Sequence, residues 1–202
     1  MARKLSLIVA VISVAALPAA ANAAAVGLQG RQAAEMPVQT GAVLVAPLKA
    51  CPGQERLDAP TGEQVQAMLC MTDFARARAG LGELVPTDAL EQSAGDKAED
   101  VLRCDSFSHF ACGREFTYWM RETGYISAPC WRVGENLAWG TADSGSVRSI
   151  FEAWMRSPGH RANILGDYAE TGLSVRVGTL TGRAGTRVWA QHFGSHCGEP
   201  AS

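Results

Sequence analysis

Three short segments concentrate side chains that could do chemistry: Phe107-Ser108-His109, Gly134-Glu135-Asn136, and the run from Trp154 to Asn163 that holds Ser157 and His160. Imidazole and carboxylate are the groups of general acid–base catalysis and of zinc ligation, and a serine is a nucleophile by type. Taken singly, each has an ordinary structural explanation. A lone histidine after a helix is usually a hydrogen-bonded structural residue, and Gly-Glu-Asn can form a turn. Ser157 stands beside Pro158 at a helix end, where serine caps or turns the chain, and no identifiable acid completes a triad with it. Residue types alone do not join the three segments. Trp131, Trp139 and Trp189 lie close to glycines and read as packing anchors before they read as substrate platforms.

The elements that must position these residues are legible from periodicity. Thr61-Gly62-Glu63-Gln64 has the form of a capping box, and Val65, Met68, Leu69 and Thr72 follow at helical spacing towards Gly80. Asp88 and Glu91 make a second capping pattern, with Leu90, Ala94 and Val101 on an apolar face that runs to Cys104. A shorter helix is predicted over Arg114 to Thr123, stopped at Gly124. A fourth begins near Ser146, with Val147, Ile150, Phe151 and Trp154 on one stripe, and ends at Pro158-Gly159. Leu173, Val175 and Val177 then alternate with polar neighbours, and Thr186 to Phe193 reads as a second strand, giving a hairpin. Helices followed by antiparallel strands predict an α+β domain.

Export is predicted from the N-terminus. Arg3 and Lys4 precede an apolar stretch from Leu5 to Leu17, and Ala21-Asn22-Ala23 offers small residues for cleavage. Pro18 and the alanines interrupt the stretch before it reaches the roughly 18 residues a membrane anchor needs. The organisation is therefore a signal peptide at 1–23, a linker or arm at 24–60, one domain at 61–197 and a tail at 198–202. The product is secreted or periplasmic, with no stable membrane insertion after cleavage.

Of the 18 Lys and Arg, cleavage removes Arg3 and Lys4, which leaves 16 against 20 Asp and Glu. The arginines are scattered, so neither a nucleic-acid groove nor an anionic-membrane patch is supported. The six cysteines, Cys51, Cys70, Cys104, Cys112, Cys130 and Cys197, form an even set without a C-x-x-C pair, which predicts three disulfides over a structural zinc site. Cys51 with Cys70 is the pairing expected to tie the N-terminal segment onto the first helix. The other four stay open among their pairings.

Taken together and in order, several blocks carry a resemblance: Arg76 and Arg78 before Ala79-Gly80-Leu81, Phe107-Ser108-His109, Gly134-Glu135-Asn136-Leu137-Ala138, the run Trp154 to Leu165, and Trp189-x-Gln191-x-Phe193-Gly194. From about residue 63 to 195 the chain resembles the bacterial, SCP-like members of the CAP superfamily of cysteine-rich secretory, antigen-five and pathogenesis-related proteins. The resemblance implies an α-β-α sandwich, a central antiparallel sheet between helical layers, with a surface cleft. It also implies that His109, Glu135 and His160 share that cleft with Ser157, which stands where many eukaryotic relatives carry a second glutamate.

Two neutral imidazoles and one carboxylate could hold zinc or another divalent metal with a fourth position open, although the missing carboxylate leaves a residual positive charge. Glu135 could instead act as a general base in a metal-assisted extracellular hydrolase of the peptidase type. The reading preferred here is a binding module for a small ligand or an extracellular partner, without robust turnover. A purely structural envelope role gives no reason for grouped polar residues. Asn136 and Asn163 are expected to clamp loops. His192 and His196 fall outside the matching positions and are not taken as ligands.

Overall fold

The computed structural model describes residues 11–12, 43–127 and 129–197. The tail and most of the leader and arm fall outside these.

Helix α1 (Thr61–Arg78) buries Ala67, Met68, Met71 and Ala75. Its N-cap is Pro60, and no capping box forms. Gln64 turns back instead and donates to the carbonyl of Ala59 at 2.7 Å, tying the helix to the preceding loop. That loop is packed on the domain: Leu44, Ala46, Cys51, Gln54 and Ala59 are buried. Arg148 reaches Gln54 at 3.0 Å, and Arg187 donates to the Leu57 carbonyl at 2.7 Å.

The two-residue strand β2 (Val85–Pro86) leads into α2 (Asp88–Arg103). The cap of α2 is Thr87, one residue earlier than the sequence pattern placed it, and Asp88 and Glu91 occupy the first turn. There their charges favour the positive end of the helix. The third predicted helix is shorter than expected. A 3-10 turn (Ala111–Gly113) precedes α3 (Tyr118–Glu122), and Gly124 follows at φ +78°.

Strand β3 (Trp131–Gly140) is the main departure from the sequence reading, because Gly134-Glu135-Asn136 is its middle and not a turn. All eight residues from Val133 to Gly140 are buried, so no period-two alternation could mark it as a strand. After a second 3-10 turn (Ala142–Gly145), α4 (Val147–Arg156) starts from Ser146, whose side chain accepts from the Ser149 amide. Pro158 does not close the helical region. It begins α5 (Pro158–Ile164), since proline at the first helical position gives up an amide that has no partner there. Ser157 joins the two helices and makes no side-chain capping bond.

Strands β4 (Glu170–Leu180) and β5 (Arg183–His196) form the predicted hairpin. Thr181 at φ +49° and Gly182 at φ +76° supply the left-handed pair that a two-residue hairpin loop needs. β5 is central, antiparallel to both β3 and β4, and β2 adds a parallel edge to β4. Val11–Ile12, numbered β1, pairs antiparallel with β3 opposite Asn136 and Glu135.

The sheet divides two apolar layers. Leu173, Val175, Trp189, Phe193 and Ala138 pack with α1, α4 and α5, while Leu137, Trp139, Val188 and Ala190 pack under α2. This is the expected α-β-α sandwich. Three disulfides staple it: Cys51–Cys70, the pairing expected, with Cys104–Cys112 and Cys130–Cys197.

Arg76 closes the α1 side. It is buried and donates to the carbonyls of Gly82, Ile164, Gly166 and Tyr168. One guanidinium thus satisfies the end of α5 and the turn after it, positions that lack intrahelical partners.

Candidate functional site

Successive residues of a strand point to opposite faces, and this sets the fate of the Gly-Glu-Asn segment. Glu135 points under α2, where Ser93 and Lys97 lie one turn apart. Asn136 points to the other side, towards α5.

On the α2 side, Glu135 is the hub. His109 Nδ1 approaches Oε1 at 2.5 Å, and His192 Nε2 approaches Oε2 at 2.9 Å. An ionised carboxylate only accepts, so each imidazole carries a proton on the nitrogen that faces it. His192 is directly opposite Glu135 in the β3–β5 ladder, and its Nδ1 lies 2.8 Å from Ser93 Oγ, within hydrogen-bond reach. Lys97 Nζ donates to the His109 carbonyl at 2.5 Å and stands 4.0 Å from Glu135 Oε1. Ser93, Glu135 and His192 are 0 % exposed, Lys97 1 % and His109 4 %.

The electrostatics follow from that enclosure. Burial pushes the Glu135 carboxyl up, but the hydrogen bonds from His109 and His192 outweigh it. With the electrostatic attraction of His192 and Lys97, they hold the carboxyl at about 2. Burial lowers Lys97, opposed by Glu135 and Asp100. The cluster is a buried ion pair, Lys97 with Glu135, wrapped by two imidazoles.

Ser93, His192 and Glu135 form a Ser–His–acid chain in outline, yet none of the three exposes any surface, so the chain cannot serve a substrate as a nucleophilic triad does.

On the opposite side, Asn163 donates to the Glu135 carbonyl at 3.2 Å and to Asn136 Oδ1 at 2.9 Å. Asn136 donates to the His160 carbonyl at 3.2 Å, and Trp154 Nε1 reaches the Leu137 carbonyl at 3.3 Å. The two asparagines thus clamp a strand to a helix, not loop to loop. Together with Trp154 they satisfy polar groups of β3 from the α4–α5 side. His160, buried on α5, has its ring 6.3 Å from that of Trp154. The structure therefore joins His109 and Glu135 directly and brings in His192, Ser93 and Lys97. It sets His160 with Asn136 and Asn163, on the side of β3 to which Asn136 points.

The donor set does not suit a divalent cation as arranged. Both Glu135 oxygens are engaged by imidazoles, and the Lys97 ammonium would oppose a second cation. His109 Nε2 is buried without a hydrogen-bond partner, but among the described residues no three His, Cys, Asp or Glu side chains are placed to hold a metal.

Sequence reasoning missed Ser93 and Lys97, which sit four residues apart on α2 as polar breaks in an apolar face. That interruption was the available signal. His192 lies outside the matching motifs, and its place opposite Glu135 comes from strand register, which no residue pattern displays.

A shallow groove of about 360 Å³ lies along α4 and α5, lined by Met155, Arg156, Pro158, Arg161, Ala162 and Leu165. Trp189 is buried, with Nε1 on the Gly145 carbonyl at 3.1 Å, and Trp139 packs against Phe107. Trp131 is partly exposed, under the Arg121 guanidinium.

Fold and cluster together define a disulfide-stapled α-β-α sandwich with a histidine–glutamate centre beneath one helical layer. Three disulfides point to an extracytoplasmic location, and among the described residues no helix is long and apolar enough to cross a membrane. The model of the CAP, cysteine-rich secretory protein family matches residues 71–193, and the chain belongs to that family. It is similar in structure to an outer surface protein of Borrelia burgdorferi (TM-score 0.56, 18 % identity, 68 % of this chain and 96 % of that one). It is also similar to an extracellular protein containing a SCP domain from Bacillus anthracis (TM-score 0.53, 20 % identity, 65 % of this chain), of which the match covers 40 %. These likenesses define the fold. No curated protein matches the sequence significantly.

Proposed function

We propose that the chain is an extracytoplasmic binding module that takes a small ligand on the α4–α5 surface, and that the histidine–glutamate cluster is its internal frame. The observation that carries this reading is the saturation of Glu135: it is 0 % exposed, with both oxygens engaged. A general base must reach the proton it removes. Metal-assisted hydrolysis through Glu135 would need the carboxylate freed from two imidazoles and opened to water.

The groove supports the binding role. Met155, Pro158, Ala162 and Leu165 offer apolar contact and Arg161 offers charge, a combination that suits an apolar body bearing an acidic group, while Arg156 is paired with Glu152. Export through a leader cleaved after Ala23 completes the proposal, and mass spectrometry of the exported protein should find Ala24 at its N-terminus.

The test is a titration of small apolar carboxylates followed by NMR shifts. Shifts clustered on Met155, Arg161 and Leu165 and lost in Arg161→Ala are expected. Turnover of a protease, esterase or polysaccharide substrate that disappears in Glu135→Gln, with circular dichroism showing the variant still folded at the assay temperature, would overturn the reading.

A further inference from the structure

The loop that delivers His109 is closed at both ends by one disulfide, Cys104–Cys112, eight residues apart. Cys104 is exposed and is the C-cap of α2, while Cys112 is partly buried. Arg103 Nη2 lies 3.5 Å from Cys112 Sγ. Arg103 and Arg114 converge on a single buried carboxylate, Asp100, which also accepts from Trp119 Nε1. Two guanidinium groups against one carboxylate leave net positive charge beside Cys112. Asp105 and Cys112 both hold left-handed backbone, at φ +47° and +56°. Neither is a glycine, so the closed loop is held in a conformation that L-residues disfavour.

The geometry points to Cys104–Cys112 as a thiol-exchange site that governs how firmly His109 is held on Glu135. The co-reactant is a dithiol. One of its thiolates attacks Sγ of the exposed residue Cys104, the sulfur–sulfur bond breaks, and its electron pair leaves on Cys112 Sγ beside Arg103. The second thiolate of the reductant then attacks the mixed disulfide and expels Cys104. Two electrons pass from the dithiol, which becomes a disulfide, to the cystine. The two protons of the dithiol end on Cys104 and on Cys112 or solvent.

The direction of attack follows from charge. A positive neighbour stabilises a leaving thiolate, whereas the negative end of α2 disfavours one at Cys104. Once the bond is open, the loop is retained by the Lys97 bond to the His109 carbonyl and by the His109 bond to Glu135. Of the other two bridges, Cys51–Cys70 has a buried member, and Cys130–Cys197, exposed at both cysteines, joins the approach to β3 to the end of β5 and holds no segment of the histidine–glutamate cluster, so charge beside the leaving sulfur and not exposure distinguishes Cys104–Cys112.

The test is graded reduction of the native mature chain with dithiothreitol, quenched by differential alkylation and mapped by mass spectrometry. Cys104 and Cys112 are expected to label at reductant concentrations about tenfold below those that open either other bridge. Earlier opening of another bridge, or simultaneous opening of all three, would overturn the assignment. Arg103→Ala is expected to slow the exchange several-fold and Arg103→Lys to preserve it. If Arg103→Ala does not fold, the same attribution is read from the native chain, whose exchange rate should change as salt screens the guanidinium, and a salt-independent rate would sink it. Amide exchange at residues 105–111 should rise about tenfold in Cys104→Ser/Cys112→Ser, with β3 and β5 unchanged. Unchanged exchange there would refute control of His109.

Discussion

Glu135 and His192 face each other across the β3–β5 ladder, and their side chains meet at 2.9 Å in the core beneath α2. Strand register therefore sets the central polar contact of the domain, and the consequences of disturbing it can be stated.

Replacing Glu135 with Gln leaves Lys97 buried without its counter-charge and places an amide donor against an imidazole donor. The expected loss is about 3 kcal/mol, in the range for breaking one side of a buried pair. Urea denaturation monitored by circular dichroism would measure it, and a loss below about 1 kcal/mol would show that the cluster contributes little.

Acid should act on the same residue. The Glu135 carboxyl is lowered from 4.5 in its ordinary state to about 2 in the folded chain. A group depressed on folding stabilises the native state above its unfolded value, and that contribution is lost as pH falls through the folded one. Stability is thus expected to decline between about pH 4.5 and 2, by on the order of 3 kcal/mol from this group. In Glu135→Gln the decline over that window should be visibly shallower.

Gly172 lies under α2, where an added Cβ would stand 2.0 Å from the Leu90 carbonyl carbon and 2.1 Å from the Glu91 amide nitrogen. Backbone cannot yield as a flexible side chain can. Gly172→Ala should therefore lift α2 from the sheet and cost more than about 3 kcal/mol, or prevent folding. A Tm within a few degrees of the parent would contradict the close packing of this helix.

Asn163→Ala removes the donor shared by the Glu135 carbonyl and Asn136 Oδ1. A loss of about 2 kcal/mol is expected, with faster amide exchange in β3 around Glu135 and Asn136. Exchange confined to α5 would mean that the clamp holds the helix alone.

Zinc is expected to leave the Tm unchanged, because a ligand stabilises a fold only through sites that the native state presents. A rise that vanishes in both His109→Ala and His160→Ala would reinstate the two histidines as ligands.

Much of this protein was legible in one dimension. Periodicity located α2 and α4, whose apolar stripes follow from having one buried face, and residue spacing and alternation also marked α1 and the β4–β5 hairpin. The even cysteine count announced the staples, and the ordered motifs named His109, Glu135 and His160 for one cleft, of which the structure joins His109 and Glu135 directly and sets His160 with Asn136 and Asn163. Composition had no means of showing that Gly134-Glu135-Asn136 lies within a strand, since burial on both faces erases the alternation that identifies one. Nor did the sequence separate Glu135 from Asn136. Strand geometry sends adjacent side chains to opposite faces, so one residue joins His109, His192 and Lys97 under α2 while its neighbour joins α5. Those partners come from segments distant in the chain, and only register and layer packing decide which of them meet.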